Sequence, residues 1–213
     1  MVDAERLPGS GRVISYAMGL RGHTNALIAA ALAIPQSSIC IGKRCATCGS
    51  TDHGKPYLVN APGQAISIAH AGDWTVVASY AGPSLGIDLE STDHPMLEPS
   101  DLLTVSEARR VGELPAVDRS DALRRLWVRK EAVVKATGTG LAVPLASIAL
   151  EQYDERHYLA SGRLLERPMR VIDVPMGTEF DCAVAIPADQ GFERVEGRIA
   201  SPPPPGRSYD GSG

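Results

Sequence analysis

Apolar positions along the chain change period several times, and each change marks an element. "HTNALIAAALAIP" (23–35) carries apolar residues at helical spacing, with Thr24 or Asn25 as N-cap and Pro35 as its stop. "QAISIAH", "WTVVASYA" and "LGIDLES" alternate instead with period two, separated by an "AGD" turn and a Gly-Pro pair, which predicts a meander of three short strands. Helical spacing returns over 98–113 and 120–137, the second with Ser120 as N-cap and Gly138 just past its end. "RVIDVPMGTEFDCAVAIP" predicts a further hairpin. Residues 1–11 read as loose, and from 188 onward the Pro/Gly/Ser-rich composition predicts a disordered tail.

A faint repeat runs through this order. Ile68 precedes Trp74 by six residues, and Val174 precedes Phe180 by six; a small-and-apolar strand follows each aromatic. With a helix in each half, the pattern predicts two related α+β lobes joined near residue 85.

One helix does not fit its own pattern. In "WVRKEAVVKATGTGL" (127–141), Trp127, Glu131 and Lys135 are spaced i, i+4, i+8 and share a stripe. Lys130 stands where the apolar stripe of Leu123, Leu126, Trp127, Val133 and Val134 calls for another apolar residue. A lysine–glutamate pair on a helix with a burial pattern needs something to offset its charge.

Composition narrows the classes. The chain has 213 residues, 44% hydrophobic and 22% charged, enough for one large domain or two small packed lobes. No apolar run approaches membrane length, and the N-terminal stretch lacks the apolar core of a signal peptide. Four cysteines are too few for a disulfide scaffold, which points to a reducing cytoplasm. A net charge of −4 argues against bulk nucleic-acid affinity. Positive charge is nevertheless concentrated in "RRLWVRK" (124–130) and Arg109-Arg110; each arginine taken singly reads as part of a solvated helix face, the group together as a surface for an anionic ligand or acidic partner.

The candidate chemistry is acidic. "LGIDLE" places Asp88 and Glu90 on one strand face with Ile87 and Leu89 turned into the core. Two neighbouring carboxylates repel, and a hard cation offsets that repulsion. Alone, the pair reads as solvated acids on an exposed strand. Glu131 supplies a third carboxylate, and Lys130 and Lys135 bring positive charge, a grouping suited to phosphoryl chemistry.

"GIDLE" followed after residues 91–126 by "WVRKEAVVKATGTGL" resembles the 4′-phosphopantetheinyl transferases of the surfactin-synthetase-activating (Sfp) type. Their signature is (V/I)G(V/I)D-x-E and then (F/W)-x-x-K-E-A-x-x-K-x-x-G-x-G-L. Trp127, Lys130, Glu131, Ala132, Lys135, Gly138, Gly140 and Leu141 match every fixed position of the second motif. "HGKP" (53–56) and "SIAHAGDW" (67–74) extend the likeness to most of the chain up to about residue 187. The resemblance implies a monomeric α+β pseudodimer of two similar lobes, each a small antiparallel sheet with packed helices, and an active site in the cleft between them. The lobes would be 1–85, on the coenzyme A side, and 86–187, carrying the metal and catalytic motifs, with 188–213 as the tail.

The implied activity is a cytoplasmic, Mg²⁺-dependent transfer, with Mn²⁺ as a substitute. The phosphopantetheine arm of coenzyme A moves to a serine of an apo acyl or peptidyl carrier protein, and adenosine 3′,5′-bisphosphate is released. Secondary-metabolite carriers of polyketide or nonribosomal peptide synthases are the expected partners, with no nucleic acid and no membrane. By position, Asp88, Glu90 and Glu131 resemble the metal ligands, and Glu131, Lys135 and Lys130 the catalytic group. Glu131 or a water on the metal is the implied base. Lys55, Pro56, His70, Arg21, Lys130 and Lys135 resemble coenzyme A contacts, and Glu107 resembles the glutamate of a short intervening motif.

The chain also departs from the family. Asn-x-Ser-His-Ser is replaced by Ser67-Ile68-Ala69-His70-Ala71, and the helix at 23–35 lacks its usual Arg and Lys apart from nearby Arg21 and His23. These changes carry the alternative reading, a coenzyme A- or carrier-binding protein with impaired or absent transfer. Cys40, Cys45, Cys48 and His53 contain a single Cys couplet, whereas structural zinc sites usually pair two couplets or add a spaced His pair. The expectation is reduced loop cysteines, and the resemblance implies no metal there. A small zinc-loop interaction module is the contrasting reading.

Overall fold

The structure, a computed structural model, describes residues 13–93, 95–96 and 101–199. The expected loose segment 1–11, His94, residues 98–100 of the helix expected over 98–113 and the end of the expected tail lie outside the described residues; that helix begins only at Val105, after Thr104 as an extended N-cap. Among the described residues, two sheets and three α-helices make an α+β fold.

The first sheet contains β1 (Val13–Leu20), β2 (Ile41–Arg44), β3 (Lys55–Leu58), β4 (Gln64–Ala71), β5 (Trp74–Ala81) and β11 (Arg194–Ile199), in the order β11-β1-β5-β4-β3-β2. Its pairings are antiparallel except β1 with β11, which run parallel. The second sheet contains β6 (Gly86–Ser91), β7 (Ala149–Gln152), β8 (His157–Ser161), β9 (Met169–Asp173) and β10 (Phe180–Pro187), all antiparallel, in the order β6-β10-β9-β8-β7. The helices are α1 (Thr24–Leu32), α2 (Val105–Glu113) and α3 (Ala116–Thr137).

Alternation along the strands sorts the core into layers. Leu27 and Ile28 of α1 pack with Ala17, Ile66 and Val77 on one face of the first sheet. The other face presents Ile14, Met18, Val76 and Ala78 to Ile87, Leu89, Val184 and Ile186 of the second sheet. Val128, Ala132 and Val133 of α3 cover that sheet's far face through Val171, Ala183 and Ala185. The result is helix, sheet, sheet, helix. Trp74 and Phe180, the aromatics of the faint repeat, meet edge-on with ring centroids 6.0 Å apart.

Several expectations need correction. β4 and β5 form the expected hairpin, with Ala71 opposite Trp74, but β6 does not complete a meander. It crosses to the second sheet and pairs with β10. The start of the expected tail, from 188, contains β11, whose backbone pairs along β1; a polar composition does not stop main-chain hydrogen bonding at a sheet edge. α1 starts after His23 with no side-chain cap, rather than at Thr24 or Asn25, and α3 starts at Ala116 after Pro115. Ser120 therefore lies inside α3, and its Oγ accepts the Met96 N–H at 2.8 Å. Gly138 closes α3 in the left-handed conformation, as its position predicts.

Candidate active site

β6 is the edge strand of the second sheet, and α3 lies across it. Gly86 makes this approach feasible, because a Cβ there would run into the Ala132 carbonyl oxygen. Ile87 and Leu89 are fully buried in the layer between the sheets, so Asp88 and Glu90 face the other way, toward α3. The i, i+4, i+8 stripe of α3 meets them there. Trp127 Nε1 donates to Glu90 Oε1 at 3.0 Å, and Lys135 Nζ donates to Asp88 Oδ1 at 2.6 Å. Between these contacts, Glu131 is close enough for its charge to act on both acids.

The electrostatics are those of crowded, desolvated carboxylates. Burial pushes Asp88 up to about 6 against the pull of Lys135. Burial and the Asp88 charge raise Glu90, while burial and, in smaller part, Glu90 raise Glu131. Asp88 Oδ2 is buried with no hydrogen-bond partner. An orphaned buried carboxylate oxygen with two further acids nearby suits a hard divalent cation in donor chemistry, these being the oxygens that Mg²⁺ takes, but the three carboxylates are not drawn within 4.8 Å of one another in this structure.

Lys135 and Arg124 are the positive charges felt by the acids, and Lys135 in turn acts on His70. His70 Nδ1 lies 2.7 Å from Thr75 Oγ1, and partial burial followed by the charges of Arg21 and Lys135 holds the ring below the usual histidine range. Arg21 is anchored at the β4–β5 turn, where its N–H donates to Asp73 O at 2.7 Å. Lys55 is further along α3. Its Nζ donates to Ser84 Oγ at 2.8 Å and to Ala136 O at 2.5 Å, and burial lowers it to about 8. Lys55 and Pro56 line a cavity of about 850 Å³ whose wall includes Ala136–Thr139; the acids lie outside it.

Lys130 is not part of this group. One position along a helix is a rotation of about 100°, which turns its side chain away from Asp88. It is fully buried, donating to Glu107 Oε2 at 2.5 Å, Leu102 O at 2.7 Å and Leu145 O at 3.2 Å. In this structure Lys130 is thus held by Glu107 and two backbone carbonyls, and it does not join Lys135 beside the acids. Glu107 also belongs to the capping box of α2 with Thr104, and "TVSE" in the sequence is the T-x-x-E signal of that box.

The basic run is consumed internally. Arg124 binds Asp121 and Asp181, and Arg129 makes a two-pronged pair with Asp173 at 2.8 and 2.6 Å beneath the Tyr158 ring. Ser67 is buried, and its Oγ accepts the Ile87 N–H at 3.0 Å, tying β4 to β6 across the sheets. Its spacing alone gave no sign of this. In the Cys-rich loop, the donor atoms of Cys45, Cys48 and His53 all lie within 4.8 Å of one another; Cys40 is exposed and outside the group. Backbone N–H groups of Cys48 and Thr47 hold the Cys45 thiol down at about 6.

Residues 84–185 match the 4′-phosphopantetheinyl transferase superfamily. Among individual proteins, the chain is similar to a 4′-phosphopantetheinyl transferase of Bacillus subtilis, 31% identical over 118 residues, which are 51% of this chain and 49% of that protein. It is similar to 4′-phosphopantetheinyl transferase Sfp of B. subtilis strain 168, 29% identical over 105 residues, 49% of this chain and 46% of the relative. The transferase psf-1 of Bacillus pumilus is 32% identical over 150 residues, 68% of this chain and 62% of the relative. The chain spans about half the length of most of these curated relatives. The two motifs, the stripe they place over Asp88 and Glu90 and these matches converge: the chain belongs to the 4′-phosphopantetheinyl transferase superfamily, in its Sfp type.

Proposed function

We propose that this protein transfers the 4′-phosphopantetheine arm of coenzyme A to a serine of an apo carrier protein, releasing adenosine 3′,5′-bisphosphate. The observation that carries the reading is the Trp127–Glu131–Lys135 stripe laid over Asp88 and Glu90. The substrate would bind in a cleft between two lobes, 1–85 and 86–187, with the adenosine end by Lys55 and Pro56 in the cavity and the phosphates toward Arg21, His70 and Lys135.

Asp88, Glu90 and Glu131 would hold Mg²⁺. When bound, the cation neutralises charge on the pyrophosphate and favours the leaving group. Glu131, raised by burial, takes the proton of the carrier serine hydroxyl. The serine oxygen forms its bond to the phosphorus attached to the pantetheine arm, and the bond from that phosphorus to the adenosine bisphosphate oxygen breaks. Lys135, released from Asp88 Oδ1, stabilises the negative charge on the departing phosphate. Trp127 fixes the Glu90 carboxylate by its indole N–H. Carriers of polyketide or nonribosomal peptide synthases are the partner class, with the protein acting as a cytoplasmic monomer. No helix among the described residues is long and apolar enough to cross a membrane.

The second reading, a binding protein without turnover, was motivated by Ala69 and Ala71. Both are buried in the layer between the sheets, whereas His70 between them is exposed. Hydroxyls at 69 and 71 would face that layer rather than the His70 side, which weakens the case for lost activity. Intact mass spectrometry decides between the two. An apo carrier protein incubated with this chain, coenzyme A and Mg²⁺ gains one phosphopantetheine, and chelator prevents the gain. No gain on any carrier that a known transferase modifies, with coenzyme A still bound, establishes the second reading.

A further inference from the structure

The loop between β2 and β3, residues 45–54, has no buried side chain, yet it holds a defined shape. Apolar packing does not account for that shape. Its backbone is pinned by Cys45 N–H to Ser50 O at 2.9 Å and Gly49 N–H to Cys45 O at 3.0 Å. Gly49 directly follows the second cysteine with φ +73°, a left-handed turn that glycine adopts without strain. The turn folds the chain back so that the N–H groups of Thr47 and Cys48 point at the Cys45 sulfur. At the other end, Gly54 lies against the Arg44 carbonyl, with no room for a Cβ, and this closes the loop.

Those constraints bring together two soft donors and one borderline donor. Cys48 Sγ and His53 Nε2 are 3.4 Å apart, and with Cys45 Sγ all three donor atoms lie within 4.8 Å of one another. A tetrahedral zinc ion with Zn–S of about 2.3 Å and Zn–N of about 2.0 Å requires S···N edges of about 3.6 Å. The observed pair is close to that edge without rearrangement. Among the described residues this is the one His/Cys/Asp/Glu group drawn so close.

We propose that Cys45, Cys48 and His53 form a zinc site that braces the β2–β3 loop, with the fourth tetrahedral position taken by water. The site is separate from the Asp88–Glu90–Glu131 group in place and in chemistry, because thiolate and imidazole select zinc whereas the carboxylates suit Mg²⁺. Zinc binds both sulfurs as thiolates, any thiol proton still present leaving to solvent, and it oxidises nothing. Its structural effect is on the cavity. Arg44, Cys45 and Gly49 line the same cavity as Lys55 and Pro56, so a metal at this loop stiffens one wall of it. This inference does not depend on the transferase reading.

The test uses the full chain, purified reduced and without immobilised-metal chromatography. Elemental analysis gives one zinc per chain, and Co²⁺ added to the stripped chain produces the thiolate-to-cobalt charge-transfer band at one equivalent. Cys48→Ser and His53→Ala each lose the stoichiometric zinc, while Cys40→Ser keeps it. Zinc protects Cys45 and Cys48 from alkylation in the native chain while Cys40 is labelled, a readout that does not require the variants to fold. The proposal is overturned by absence of both zinc and the cobalt band, or by zinc retained in Cys48→Ser. It is equally overturned by a Cys45–Cys48 disulfide in place of metal, seen as a mass lower by two hydrogens in the reduced-purified chain.

Discussion

Lys130 Nζ donates to Glu107 Oε2 at 2.5 Å, with the lysine side chain wholly buried and the glutamate nearly so. This pair joins α3 to the first turn of α2, because the same glutamate oxygen accepts the Thr104 N–H at 2.9 Å. Removing one partner leaves an uncompensated buried charge. Lys130→Met is expected to destabilise the fold by about 3–5 kcal/mol, whereas Lys130→Met with Glu107→Leu recovers much of the loss. Urea unfolding of the two single variants and the double variant measures the coupling. Additive losses would refute the assignment of Lys130 as a structural residue.

Asp88 links stability to pH. Burial raises its carboxyl from an ordinary 3.8 to about 6, so folding favours the neutral form. That contribution is complete below pH ~4, is lost as pH rises through about 6, and amounts to about 3 kcal/mol at most. Asp88→Asn stays neutral throughout. The metal-free variant is therefore more stable than its parent above pH 6 and matches it near pH 4, while its transfer activity is abolished. Mg²⁺ raises the melting temperature of the parent and leaves that of the variant unchanged.

Trp127→Phe removes the indole donor to Glu90 and keeps an aromatic ring in place. A hydrogen bond to a charged group contributes about 1.5–3 kcal/mol. Transfer is expected to fall about tenfold or more with the Mg²⁺ concentration for half-activity raised, at unchanged far-ultraviolet circular dichroism. An unchanged Mg²⁺ requirement would count against a role for Glu90 at the metal.

Gly86→Ala forces α3 away from β6, because the new methyl meets helix backbone rather than a movable side chain. The expected loss is about 1–3 kcal/mol of stability, with a larger relative loss of transfer, since the shift separates Glu131 and Lys135 from Asp88. Thermal unfolding and initial rates on one preparation test this together.

On α2, Val105 is 91% exposed, and Arg109 and Arg110 are exposed on the same helix. An apolar side chain beside basic ones suits an acidic carrier helix. Reversing both arginines to glutamate is expected to raise the KM for carrier several-fold and leave that for coenzyme A unchanged. Equal effects on both would exclude α2 as the docking surface.

The site was legible where a residue's role depends on local period. Asp88 and Glu90 share a strand face, and Trp127, Glu131 and Lys135 share a helix stripe, so spacing alone brought them toward one another. The direction of Lys130 was not legible, because its motif position says nothing about which way it points; the carbonyls of Leu102 and Leu145, distant in sequence, define its pocket. β11 and the crossing of β6 were hidden for a related reason. Both depend on which distant edge a strand finds, and no short window contains that information. The Cys loop lay between these cases: its spacing was visible, but the turn at Gly49 that gathers its donors was not.

The parallel pairing of β11 with β1 has a consequence for how the chain assembles. The second sheet uses only residues between Gly86 and Pro187, so every partner it needs is in hand once that stretch has left the ribosome. Among the described residues, the first sheet begins at Val13, and the edge of β1 away from β5 has no partner strand until Arg194–Ile199 arrives. An uncovered edge strand invites pairing with another chain. The sheet encoded first is thus the one completed last, and the nascent protein is most exposed to aggregation through the strand it made at the outset.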